Sequence, residues 1–378
     1  MITGISIAFG FLLLYYCYFL YSVYRGLNNV TVCKTVKTEN GKFVSVIIPF
    51  RNEEKIIVEN LKSIEKQNYD DNLYEVIYVD DNSTDNSVEV LKKNIVKKNV
   101  KILKHENGLY TRAHKKKAIE HAIGKSKGEI IVTTDADCTH GADWLSSLVG
   151  CFDDDTGFVS GPVEFVSNGK LFEDLQALEF AGLIITGAGL IGAGKPAICN
   201  AANLAFLKEV FFQAGGYSGN LNLSSGDDEF LMQKIHADTK YKVKFCADKK
   251  AKAYTKPNED FRSFYHQRKR WASKGLFYKN KKLVAALVLI FLFYFSILLF
   301  PFLAVFINPV FWSLFVIGIV FKLITEYLVL KKGIAILYDK KILRKFLIAE
   351  VFHVPYIVFA SLLGLWGNYK WKDRKIER

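Results

Sequence analysis

The chain has no C-x-x-C pair, no internal repeat and no low-complexity segment. Its six cysteines are scattered, one of them, Cys17, in an apolar N-terminal stretch. The spacing of a cysteine metal or redox motif is therefore missing. In a domain facing the cytosol all six should be reduced thiols, serving as small buried hydrophobes. No small-residue cleavage signature accompanies the N-terminal stretch, and no basic segment precedes it. That argues against a removed signal peptide and for an uncleaved anchor. A nucleic-acid motif is also lacking. The formal net charge of +13 needs a different partner, and much of the excess lies beside apolar spans, where anionic membrane lipid is the simpler one.

Apolar residues, by contrast, make up half of the 378 positions. The length suits one large α/β domain of roughly 240 residues plus membrane segments. Residues 1–25 read as a transmembrane anchor, since a helix of about 20 apolar residues spans a bilayer core. The C-terminal region 283–366 carries further apolar stretches at 283–306, 309–330 and 346–366. The last is interrupted by Glu350, His353 and Pro355. Lysines and arginines cluster before residue 283, across 331–345 and in the basic tail 367–378. The positive-inside rule puts all three clusters, and the domain 42–280, in the cytoplasm. A single span between two cytoplasmic segments is not allowed, so 346–366 is expected to be a re-entrant hairpin broken at Pro355. The alternative is export of one basic segment.

The soluble region alternates strand and helix patterns four times. Apolar runs at 43–50, 73–79, 100–103 and 129–134 are separated by helical spacings. This is the signature of a parallel, doubly wound α/β sheet. Segment 178–196 is apolar but broken by glycines, and reads as a buried or membrane-surface helix near the site.

Polar clusters follow the strands. Arg51-Asn52-Glu53 ends the first, Asp80-Asp81 the second, and Asp135 and Asp137 the fourth. Side chains two apart on a strand point the same way, so Asp135 and Asp137 converge at the sheet edge where ligands of open α/β folds bind. Two such carboxylates repel unless a cation lies between them. A hard divalent ion shared with a substrate phosphate is one explanation. A solvated acidic turn or a cap before Trp144 is the other, and Asp80 and Asp81 are open to the same cap reading.

Five segments in order (VSVIIPFRNEE, YVDDNSTDNS, TTDADC, GDDEFL and QRKRW) resemble the membrane-bound family 2 glycosyltransferases. That branch includes cellulose, chitin and hyaluronan synthases and ceramide glucosyltransferases. The resemblance covers about 42–280 and implies a GT-A fold, a UDP-sugar donor, a divalent cation (Mg or Mn) and inversion at the anomeric carbon. It implies donor contacts from Glu53, Asp80 or Asp81, and from Asp135 and Asp137 as metal and diphosphate ligands. Lys116 or Lys117 falls where the family carries a Gly-Lys, although glycine is absent here and three lysines compete; Lys117 is retained. Asp228 matches the general base, with Asp227 in place of the usual glutamate before it. Asn203, in ICNAANLAF, and Gln267, Arg270 and Trp271 match acceptor- or product-side positions.

The expected activity is transfer from a UDP-sugar to a lipid or glycan acceptor at the cytoplasmic face of the cell (inner) membrane. A processive polysaccharide synthase is the alternative within the class. Outside it stand a membrane transporter and a non-catalytic nucleotide-sugar-binding protein. A transporter would hold its ionisable groups inside the spans, where Lys322 and Glu326 are the main candidates.

Overall fold

The computed structural model describes residues 2–30, 33, 42–105, 113–219, 221, 226–274, 277–365, 369–371 and 374–376. Much of the basic tail lies outside these residues.

The expected alternation is present. After the N-terminal helix α1 (Ile2–Gly26) come β1 (Val44–Phe50), α2 (Ile57–Glu65), β2 (Tyr74–Asp80), α3 (Ser87–Asn94), β3 (Val100–Lys104), α4 (His114–Lys125) and β4 (Ile130–Thr133). These four strands are parallel, in the order β3-β2-β1-β4. All of β1 and β2 is buried, which is why their sequences run apolar without alternation. Pro49 is tolerated in the central strand β1 because β4 pairs only as far as Ile47, leaving an edge where no amide donor is required.

The second half is less regular. It comprises β5 (Thr139–His140), α5 (Trp144–Val149), β6 (Thr156–Ser160), β7 (Val163–Phe165), α6 (Leu171–Gly192), β8 (Leu204–Leu207), α7 (Lys208–Gln213), α8 (Glu229–Asp238), β9 (Lys242–Phe245), β10 (Ala253–Thr255) and α9 (Phe261–Ala272). β8 joins the main sheet antiparallel to both β4 and β6, and β9 closes the far edge. A small sheet β5-β10-β7 adjoins it.

Among the described residues five helices are long and apolar enough to cross a membrane. They include α1, α10 (Lys281–Phe306), α11 (Val310–Leu337), a helical stretch containing α12 (Phe346–Leu365), and α6. The α6 stretch is two-thirds buried in protein, in line with the buried reading of this segment. It packs on α1 through glycines: a Cβ on Gly189 would lie 2.5 Å from the Val23 carbonyl oxygen. Four helices meet at a buried polar knot. Lys322 Nζ of α11 bonds Glu326 at 3.0 Å and also Glu350 of α12, while Tyr294 of α10 at 2.8 Å and Tyr16 of α1 donate to Glu326. The ionisable groups inside the spans thus satisfy one another, as buried charges must.

Two expectations fail. Pro355 lies inside a continuous helix α12, so 346–366 is no broken hairpin. The ring is accommodated because packing of α12 on neighbouring helices holds the helix across the missing hydrogen bond. The six cysteines are not all free: Cys33 and Cys151 form a disulfide with Cα atoms 4.8 Å apart. The 118 residues between them hide the pairing from spacing arguments. Cys17, Cys138, Cys199 and Cys246 are free.

A candidate glycosyl-transfer site

Because β1, β2 and β4 are parallel, their C-terminal ends share one edge, and the acidic turns meet there. Arg51 Nη1 donates to the Asp81 carbonyl at 2.9 Å and to that of Asn82, tying the first two turns together. Asn52 and Asn82 take left-handed φ values of 53° and 55°, which asparagine tolerates better than most residues. Glu53 is half-buried beside them, its amide bonded to Ser87 Oγ at 2.7 Å. Asp80 is 5% exposed and accepts the Ser83 amide at 2.9 Å. It shapes its own turn, and Asp81 beside it is as deeply buried, at 3% exposed.

After β4 the side chains alternate. Ala136 and Cys138 are buried, Asp135 is partly exposed and Asp137 exposed. The turn is held from below by Asn60, whose Nδ2 donates to the carbonyls of Asp135 at 3.3 Å and Cys138 at 2.7 Å. Tyr78 fixes Asn60 by donating to its Oδ1 at 2.6 Å. His140 packs 4.0 Å from the Trp144 ring and lies 3.0 Å from Thr134 Oγ1. Its burial pushes its pKa down to about 3, so it stays neutral.

The third acidic group opens α8. Gly226 has φ +78°, and a Cβ there would approach the Phe230 ring to 2.5 Å, so only glycine fits before the acids. Asp228 caps α8 by accepting the Glu229 amide at 2.8 Å, and its other oxygen accepts the Ala201 amide at 3.1 Å. The 198–206 segment therefore reaches the site through its backbone. Asn203 does not: it is fully buried, with Nδ2 on the carbonyls of Pro162 and Ala251 at 2.7 Å each and Oδ1 on Trp144 Nε1 at 3.0 Å. Its side chain pins the core and cannot touch an acceptor.

Lysines knit the acids together. Lys115 Nζ lies 2.6 Å from Asp135 and 3.2 Å from Asp227. Burial would lower its pKa, but Asp135 and Asp227 outweigh that and hold it well up. Burial raises and the two lysines lower the Asp227 carboxyl, with a net downward shift. Lys116 is buried over the Phe230 ring, and desolvation takes its pKa down to about 8 against the pull of Asp227 and Asp228. Lys117, the residue expected here, has Glu120 as its charged neighbour. Helical phase is the reason: Lys115 lies in the first turn of α4, facing the end of β4, and Lys117 is rotated away by two residues. Lys274, following α9, bonds Glu229 at 3.0 Å and lies 3.7 Å from Asp228. Lys115, Lys274 and Asn60 were missed by sequence reasoning. Position alone within HKKK could have favoured Lys115; nothing local marks the other two.

The α9 motif lies on the side facing α6 and α12. Gln267 Oε1 accepts from Asn258 at 2.9 Å and from Arg268 at 2.6 Å. Arg268 covers Trp271, with its guanidinium carbon 4.3 Å from the ring centroid. Arg270 is half-exposed, with no carboxylate partner among the described residues.

Asp135 and Asp137 supply hard oxygen donors suited to a divalent cation, and an ammonium already takes a cation position beside Asp135. The donor set fits such an ion.

Comparison with known proteins agrees with this geometry. The family model "Glycosyl transferase family 2" matches residues 45–211, and "Glycosyl transferase family group 2" matches 130–362. Glycosyltransferase AglE of Haloferax volcanii is 29% identical over 222 residues, 56% of this chain and 66% of that protein. Beta-monoglucosyldiacylglycerol synthase of Nostoc sp. is 31% identical over 110 residues, 29% of this chain and 23% of that one. The chain thus spans under two thirds of these relatives. A Pyrobaculum calidifontis mannosyltransferase, solved with GDP-Man and Mn2+, superposes with a TM-score of 0.58 at 20% identity, covering 97% of this chain and 99% of its own; the two share the GT-A fold. With a family model spanning more than half of its length, the chain belongs to the family 2 glycosyltransferases.

Proposed function

We propose that this protein transfers a sugar from a nucleotide sugar, with UDP as the leaving nucleotide, to a lipid or glycan acceptor with inversion. The supporting observation is the meeting of Asp135 with Asp227 around one lysine, directly beside Asp228. Inverting transfer needs a carboxylate to take the acceptor proton while the departing diphosphate is stabilised at the opposite side. Asp228 is the base in this reading, held in place by the Ala201 and Glu229 amides. Asp135 and Asp137 would hold a Mg or Mn ion, which supplies Lewis-acid stabilisation of the diphosphate when bound. Lys115 supplies a further positive charge beside it. In this reading Asp80 or Asp81 contacts the nucleoside together with Glu53, and Gln267, Arg270 and Trp271 serve the acceptor side.

The transport alternative loses its basis, because Lys322, Glu326 and Glu350 are spent on one another. For location, we place the catalytic domain at the cytoplasmic face of the cell membrane on the strength of the basic segments beside the apolar helices; the Cys33–Cys151 disulfide argues the other way, toward an oxidising compartment. Tyr338, at the end of α11, donates to the Val163 carbonyl at 2.8 Å and receives Lys249 at 3.1 Å. At the other end of α12, a Cβ on Gly364 would lie 2.6 Å from Ala272 of α9. The segment leading into α12 and the far end of α12 are thus both held against the soluble domain, which reconciles the two cytoplasmic basic segments without a break.

The test is to incubate membranes containing the protein with UDP-glucose, UDP-N-acetylglucosamine, UDP-galactose and GDP-mannose, and to identify glycosylated lipid or glycan by mass spectrometry. Turnover of GDP-mannose alone would overturn the UDP reading, and turnover of none would overturn the transfer reading.

A further inference from the structure

Glu179 belongs to no motif read from the sequence. It lies midway along α6, and its carboxylate takes donors from two other helices. One oxygen receives Arg268 of α9, and the other receives the Tyr356 hydroxyl of α12 at 3.2 Å. Arg268 is only 4% exposed, and Glu179 is its one carboxylate partner among the described residues. A guanidinium that deeply buried requires such a partner.

The same guanidinium contacts two of the three acceptor-side motif residues. Its Nη1 donates to Gln267 Oε1 at 2.6 Å, and its carbon lies 4.3 Å from the Trp271 ring centroid and 4.7 Å from that of Phe264. Arg268 therefore shares with Asn258, which donates to the same oxygen at 2.9 Å, in setting the amide orientation of Gln267, and with Phe180 in setting the tilt of Trp271. Arg268 is in turn placed by Glu179. A guanidinium presents a planar fork to a carboxylate and a flat face to an aromatic ring at once, which lysine cannot do.

We infer that Glu179 is a positioning residue for the transfer reaction, setting the Gln267–Trp271 face through Arg268 and registering that face against α12 through Tyr356. This rests on the reading of α9 as the acceptor side. Reacting groups must be held to within a fraction of an ångström of productive geometry. A charge clamp joining the catalytic domain to an apolar helix would supply that constraint where an acceptor carried by the membrane arrives.

The experiment uses the full chain in detergent, with whichever sugar nucleotide of the panel above is turned over. Glu179→Gln, Trp271→Ala and the double variant Glu179→Leu/Arg268→Met are compared for melting temperature, UDP affinity, kcat and acceptor KM. Glu179→Gln should lower transfer by roughly 10- to 100-fold, the cost of misplacing a reacting group, with UDP affinity unchanged. The double variant leaves no unpaired buried charge and should regain the parent melting temperature, while transfer stays low. Recovery of transfer together with stability would make Glu179 a packing residue and overturn the inference. Normal transfer by Glu179→Gln, with Trp271→Ala impaired, would overturn it as well. Normal transfer by Trp271→Ala would instead remove the acceptor-side reading on which it stands.

Discussion

Lys115 Nζ lies 2.6 Å from Asp135 Oδ1, so the start of α4 and the end of β4 are joined by an ion pair inside the cleft. When a diphosphate enters, this ammonium should exchange one of its two carboxylate partners, Asp135 or Asp227, for a phosphate oxygen. Lys115→Met should therefore weaken UDP binding by about 10- to 100-fold, the equivalent of losing a charge-assisted hydrogen bond of ~1.5–3 kcal/mol. Lys117→Met should bind UDP like the parent. Titration calorimetry on both variants decides between the two lysines, and a loss confined to Lys117→Met would reverse the assignment.

A second expectation concerns the divalent ion. Asp137 is exposed and Asp135 is already paired with an ammonium, so the ion should be exchangeable. EDTA should abolish transfer, and Mg²⁺ or Mn²⁺ should restore it. Asp137→Asn should weaken metal-dependent UDP binding as well as turnover. Undiminished transfer in EDTA would remove the metal role.

Asp228 and Asp227 should separate in kinetics. Asparagine can still cap α8 in place of Asp228, so Asp228→Asn should fold while losing proton-accepting capacity. General-base catalysis contributes ~10²–10⁴-fold, and transfer should fall by that order with UDP affinity kept. Asp227→Asn removes a partner of Lys115 and should alter donor binding as well. If Asp228→Asn kept near-normal transfer, the base would be sought at Asp227.

The parts of this site legible in the sequence are those written locally. Strand ends and the Asp135/Asp137 alternation follow from period and turn chemistry, while Asp227 and Asp228 are marked only by the family resemblance of GDDEFL. Where a side chain's role depends on what packs against it, the sequence was silent or misleading. Asn203 sits in a motif-like segment, yet its amide is consumed by Pro162, Ala251 and Trp144. Glu179 looks like one polar residue on an apolar helix, and its worth appears only when α9 and α12 arrive. Pro355 signals a break by local chemistry, and packing overrides it.

His140 gives the domain an acid limit. Its pKa is about 3 in the folded protein, against 6.5 for the ordinary side chain, because burial disfavours the imidazolium. Between those values the unfolded chain binds a proton that the folded one does not. Stability therefore falls as pH drops from about 6.5 toward 3, by ~1.4 kcal/mol per unit from this group. His140→Phe keeps an aromatic ring beside Trp144 and cannot titrate. Melting temperatures between pH 4 and 7 should show a shallower slope in the variant, and parallel slopes would mean that His140 is accessible to protons when folded.

The placement of α12 makes the last expectation a topological one. Its upstream end follows Tyr338, which is bonded to Val163 and Lys249 of the catalytic domain. Its downstream end rests on Ala272, one residue past Trp271. A helix crossing the bilayer once would carry its two ends to opposite faces, separated by a hydrocarbon core of about 30 Å. Both ends cannot then touch one domain. The helix should accordingly run along the inner side of the membrane, sinking Glu350 against Lys322 while its ends stay cytoplasmic. Single cysteines placed at Lys341 and Lys370, in a background lacking the native six, report this directly. Neither should react with a membrane-impermeant maleimide added to intact cells, and both should react once the cells are opened. A control cysteine at Asn308, in the turn between α10 and α11, should react from outside. Labelling of the Lys370 position in intact cells would establish a full crossing by α12 and place the tail outside.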